Sequence, residues 1–175
     1  MARKLFLALC ITFMLVSCKS CKKDNLAPVD QLPPATQNGQ NTFGCLINGE
    51  VFTPKGAFSV PRLYADYYNG GVYLICAVNV DSRINILLKN DSSLINNTGN
   101  YSLISAIDKN TYGQYANLNS NCNMYTDSIS SGTLTVTKFS ITSQKRIISG
   151  TFYFTVKSPG CPDIHVTDGR FDISF

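Results

Sequence analysis

The chain has no tryptophan, one histidine (His165), one glutamate (Glu50) and only 15% charged residues in a length of 175. So small a stock of titratable side chains narrows the available chemistry. Neither a GxSxG elbow, nor HExxH, nor a Walker loop occurs. Beyond Thr42 the four cysteines, Cys45, Cys76, Cys122 and Cys161, are spaced too widely for zinc, which favours close Cys or His pairs, so no metal and no cofactor is expected. Net basicity is also lacking where it would matter. The formal charge is +4, but Arg3, Lys4, Lys19, Lys22 and Lys23 all precede Thr42, and beyond it ten Lys and Arg face nine Asp and Glu. No basic patch remains to grip phosphates, which argues against nucleic acid as a partner. The longest apolar run, Leu5 to Val16, is too short to cross a bilayer, which needs about 20 residues.

That run has a different use. Arg3 and Lys4 precede it, and Leu15-Val16-Ser17-Cys18 follows, with a small residue just before a cysteine. A charged start, a short apolar core and a small residue at the cut describe an export signal. The last four residues resemble the bacterial lipobox, so residues 1–17 are expected to be removed and Cys18 to carry a diacylglyceryl group. Cys10 does not fit, because Leu9 is too large for such a cut. One acyl chain holds weakly, whereas the two or three of a bacterial lipoprotein anchor stably. The expected partner is therefore a membrane, reached through the N-terminal lipid, and the expected address is the cell membrane or outer membrane. Cys18-Lys19-Ser20-Cys21 spells a CxxC, but it lacks the strand-to-helix setting that lowers a thiol pKa, and it is set aside as a redox site. Residues 18–41, with Pro28, Pro33 and Pro34 and no apolar periodicity, read as a flexible tether.

Residues 42–175 alternate with period two and read as one all-β domain, an antiparallel β-sandwich or flattened barrel. Asn48-Gly49 between short apolar arms signals a type I′ hairpin. Val72, Leu74, Cys76, Val78 and Val80 share one strand face, and a turn at residues 81–83 would set Val80 against Ile84, Val78 against Ile86 and Cys76 against Leu88. Further strands are expected at 101–104, 112–118 and 132–141. At the C-terminus, Ile148, Gly150, Phe152, Phe154 and Val156 share a face. Their partners switch from even positions (Ile164, Val166) to odd ones (Phe171, Ile173, Phe175) across Asp168-Gly169. A β-bulge with a left-handed glycine accounts for the change of parity. It predicts Val156 against Ile164, Phe154 against Val166, Gly150 against Phe171 and Ile148 against Ile173, with Phe171 covering the strand glycine. The alternative, a two-residue turn at Asp168-Gly169, would leave long arms unpaired.

Four cysteines belong to this domain. Cys122 and Cys161 sit in loop-like sequence and form the preferred disulfide, while Cys45 and Cys76 read equally as buried small hydrophobes or as a second bridge. The segments 42–49, 132–138, 148–154 and 166–172, in this order behind a lipobox, resemble a family of uncharacterised lipoproteins of Bacteroidota. The resemblance implies a β-sandwich or flattened barrel and brings no activity or catalytic residue. Asp127-Ser128-Ile129 resembles the O-glycosylation signal of those bacteria, with Ser128 as the candidate acceptor. The single acid near Cys18, Asp24, departs from their surface-export pattern and leaves surface display open.

Candidate chemistry is sparse. His165 and Asp172 lie on one face of the last strand and are the pair on which an envelope hydrolase would have to rest, although neither nucleophile nor oxyanion site can be named and no catalytic residue is assigned. Asp163, Asp168 and Asp172 lack the dense ligand spacing of a calcium loop. Tyr64, Tyr67 and Tyr68, with Tyr73, bracket Asn69-Gly70-Gly71 and are the candidate contacts for a glycan or protein ligand. The expected function is a lipid-anchored, non-enzymatic binding or structural module. The alternatives are the hydrolase and a lipocalin-like carrier enclosing an apolar cavity.

Overall fold

A computed structural model describes residues 26–56, 61–88, 94–104 and 111–175; Cys18 and the signal segment lie outside the described residues. Among these, a short 3-10 turn at Pro28–Gln31 precedes eleven strands: β1 (Thr42–Ile47), β2 (Glu50–Phe52), β3 (Leu63–Tyr68), β4 (Gly71–Val78), β5 (Ser82–Leu88), β6 (Gly99–Leu103), β7 (Thr111–Asn117), β8 (Cys122–Tyr125), β9 (Gly132–Ile141), β10 (Arg146–Val156) and β11 (Ile164–Ser174). They form two antiparallel sheets, a six-stranded one in the order β2-β1-β11-β10-β9-β6 and a five-stranded one in the order β3-β4-β5-β7-β8. The sheets face each other as an open sandwich and do not close into a barrel.

The core lies between them. Phe152 and Phe154 stack at 6.3 Å between ring centroids, Phe43 packs on Phe152 at 5.1 Å, and Phe171 lies 6.3 Å from Phe152. Ile75, Ala77, Ile84, Tyr115 and Met124 meet these rings from the five-stranded sheet. Ring-to-ring packing of this kind fills the interior that a lipocalin-like carrier would need empty.

Period-two patterning sets the C-terminal hairpin. Val156 pairs with Ile164, Phe154 with Val166, Gly150 with Phe171 and Ile148 with Ile173, and the register shifts between Phe152 and Phe154. The bulge is real, but its left-handed residue is Asp168 (φ 53°), not the glycine. Gly169 serves close approach instead, because a Cβ there would stand 2.5 Å from the Phe152 carbonyl oxygen. The Phe171 ring covers Gly150. Two other hairpins turn on left-handed Asn-Gly pairs, Asn48-Gly49 between β1 and β2 and Asn69-Gly70 between β3 and β4.

Two further expectations need correction. The β4–β5 register is Val78 against Arg83, Ala77 against Ile84 and Cys76 against Asn85, so the strands are joined through residues 79–81 and the predicted pairs are displaced. A bulge where Asp66 pairs with Leu74 but Tyr67 with Val72 changes the parity of β4, so the core takes Val72, Ile75 and Ala77. Cys76 and Val78 are buried as well, on the opposite face, and with both faces apolar the alternation carries no register information.

The second correction concerns the tether, which lies against the domain from the turn at Pro28–Gln31 onward. The segment 26–41 crosses the outer face of the six-stranded sheet with Leu32 buried, and Gly44 of β1 admits it, since a Cβ there would meet Pro33 Cδ at 2.6 Å. Low complexity and proline content are properties of an extended strap as well as of a free linker. What distinguishes them is a partner surface.

Candidate functional site

That partner surface centres on Asp172. The parity change at the bulge turns its side chain outward, where the strap covers it completely. Its carboxylate accepts hydrogen bonds from Thr36 Oγ1 (2.6 Å), Ser149 Oγ (2.6 Å) and the backbone N–H groups of Asn38 (3.0 Å), Gly39 (2.7 Å) and Gln40 (3.1 Å). Burial alone would raise its pKa, but the donors from Ser149, Thr36, Gln40 and Gly39 outweigh it and bring the value down to about 2. Asp172 is thus a charged clamp for the strap. Arg170 Nη1 adds a bond to the Pro33 carbonyl, and Asn41 Oδ1 accepts from the Ser174 N–H at 2.9 Å.

This engagement separates the two residues on which a hydrolase would rest. His165 is exposed at the other end of β11, seven positions from Asp172, or roughly 20 Å along a strand. Its Nδ1 lies 3.2 Å from Thr155 Oγ1 and its backbone N–H donates to Asn48 Oδ1 at 2.7 Å. Asn48 in turn donates to the Asp163 carbonyl at 3.0 Å, which ties the first hairpin to the start of β11. His165 and Asp172 are on one face as expected, but they cannot share a proton or a substrate atom.

The tyrosine cluster also divides. Tyr64 faces outward and hydrogen-bonds Cys76; burial, then that bond, push its pKa up to about 12, while burial raises the Cys76 thiol. Tyr67 points inward, 5.5 Å from the Phe175 ring, with the Arg146 guanidinium 4.6 Å from its ring centroid. It ties the five-stranded sheet to the six-stranded one. Tyr68 alone of the three is largely exposed, at 65%. They do not form one platform.

Cys122 at the head of β8 and Cys161 in the loop between β10 and β11 are joined by a disulfide, which links the two sheets. Cys45 and Cys76 are free and buried, and burial pushes the Cys45 thiol well above its usual range. Buried thiols of raised pKa are poor nucleophiles. Ser128 is exposed in a turn that Asp127 organises by accepting from the N–H groups of Ser130 (2.6 Å) and Ile129 (2.8 Å).

One surface was missed in the sequence. Tyr153, near the C-terminal end of β10, stands on the outer face of the six-stranded sheet at 58% exposure, beside a groove of about 540 Å³ bounded by the strap at Ala35 and by Thr133, Thr151, Asp168 and Arg170. Tyr153 reads in sequence as a routine outward residue, and only the folded strap gives the groove a wall.

Residues 53–172 match the model of a family described as a domain of unknown function (DUF6252). No curated protein and no solved structure matches the chain.

Proposed function

We propose that this chain, which belongs to the DUF6252 family, is a lipid-anchored, non-enzymatic binding module of a bacterial cell envelope, akin to the Bacteroidota lipoproteins it resembles in sequence. The export signal ends at Ser17, Cys18 takes the lipid, and the membrane holding it is the cell membrane or the outer membrane. Ser128 is the candidate acceptor if the domain is glycosylated.

The observation that carries this reading is the Asp172 clamp. It holds the chain just behind the anchor as part of the folded body, and it consumes the carboxylate that a hydrolase would require. Ten residue steps separate Cys18 from Pro28, the start of the turn that meets β1 and β2, a reach of at most about 36 Å. A body on so short a lead stays close to the bilayer and meets its ligand there.

Replacing Cys18 by alanine tests the anchor. The expected result is loss of palmitate labelling and a shift of the protein from the membrane pellet to the soluble fraction. Unchanged membrane retention of Cys18→Ala would sink the anchor.

A further inference from the structure

We propose that the groove beside Tyr153 is a binding site for a neutral oligosaccharide, with the exposed ring as its stacking platform. The inference rests on the binding-module half of the proposed function and is independent of the anchor. Tyr153 lies on β10, an interior strand flanked by β9 and β11, and the residue is 58% exposed. An aromatic ring left in water on an interior strand offers a flat apolar face, and here polar groups surround it. Thr133, its cross-strand neighbour, donates from Oγ1 to the Tyr153 hydroxyl at 3.2 Å, which steadies the ring. Thr151 stands two positions along the same face and is exposed.

The bulge and the strap complete the site. Asp168 is held at φ 53° with its side chain exposed, a conformation that costs free energy for a residue with a Cβ and places a carboxylate on the rim. Arg170 follows on the same rim, and Ala35 of the strap forms the facing wall. The groove, at about 540 Å³, is of ligand size.

Three features select the ligand class. Asp168 and Arg170 cancel in charge, which disfavours phosphates and polyanions. A peptide cannot add as a strand, because the backbone groups of β10 are already paired with β9 and β11. A sugar ring has an apolar C–H face to lie on Tyr153 and a rim of hydroxyls that can both give and accept hydrogen bonds, which matches threonine hydroxyls, a carboxylate and a guanidinium.

The test is affinity electrophoresis of the full chain in detergent, through gels containing a soluble β-glucan, a xylan or a mannan, with polygalacturonate as the anionic arm. Retardation is expected in at least one neutral gel. Tyr153→Ala should weaken it about tenfold or more, and Tyr153→Phe, which keeps the ring, by no more than about threefold. Leu118→Ala, at an exposed position beside the other sheet, should bind as the parent does, and all three variants should melt with the parent. The proposal is overturned by retardation in none of the gels, by retardation in polygalacturonate alone, or by a Tyr153→Ala variant that binds undiminished. Since cell fractionation of Cys18→Ala reads the anchor without any sugar, failure of the site and failure of the anchor are told apart.

Discussion

The six-stranded sheet has a dry inner face and a polar outer face; the five-stranded sheet buries apolar side chains on both, with Ile75 and Ala77 inside and Cys76 and Val78 outside. The difference decides what each can do. A sheet with one wet face has room for charged and hydroxyl side chains, and here that face holds both the Asp172 clamp and the Tyr153 groove. Along β4, buried on both faces, the neighbouring polar groups are locked into internal pairs, as Tyr64 and Cys76 show, and keep little chemistry.

The largest effect is expected from uncoupling the two sheets. The Cys122–Cys161 bridge spans 39 residues, and removing it by Cys122→Ala with Cys161→Ala should cost about 4 kcal/mol by loop-closure entropy. Denaturant unfolding with and without reductant measures this, and a variant as stable as the oxidised parent would mean that packing alone couples the sheets. Next is the clamp. Asp172→Asn keeps the shape but loses charge-assisted bonds and turns an amide donor toward N–H groups, at a cost of about 3 kcal/mol. It should also expose residues 34–40 to protease before the domain unfolds. If the strap stays protected, its contacts at Leu32, Pro33 and Asn41 suffice.

Acid should act on the same carboxylate. Its folded pKa, about 2, lies below the unfolded value of 3.8, so the folded state favours the ionised form. That stabilisation is complete above the unfolded value and is lost as pH falls through the folded one. It amounts to about 2 kcal/mol, disappearing between roughly pH 5 and pH 2. Asp172→Asn should flatten that part of the pH profile. The smallest effects belong to the bulge. Gly169→Ala forces a Cβ against the Phe152 carbonyl and should cost about 2 kcal/mol, whereas Asp168→Gly relieves a left-handed residue and should change stability by less than about 1 kcal/mol. Equal losses from the two would mean that the strain is shared along the bulge.

The same contrast explains which parts were legible. Ile148 to Val156 and Ile164 to Ile173 alternate cleanly because one side of their sheet is wet, so a single parity change was enough to place the bulge and the register. The β4–β5 register was not legible, because Cys76 and Val78 are as buried as Ile75 and Ala77, and a stripe of apolar residues then marks neither face. The Cys122–Cys161 pairing was suggested by loop-like surroundings, but proximity across two sheets is a property of the fold. Tyr67 and Tyr68 are adjacent in sequence and point to opposite faces, which is why a cluster in the chain became no cluster in space.

From the sequence alone come the all-β class, the Asn48-Gly49 turn, the long C-terminal hairpin and the expectation of a lipid at Cys18, because each depends on neighbours in the chain or on period-two alternation. The tertiary structure decided that residues 26–41 are a strap, that Asp172 is a clamp separated from His165, and that Tyr153 borders a groove. Each of these requires segments more than a hundred residues apart to meet, as Thr36 meets Asp172. Local pattern carries no record of such a meeting, because it arises only when the sheet presents a polar face for the strap to cross.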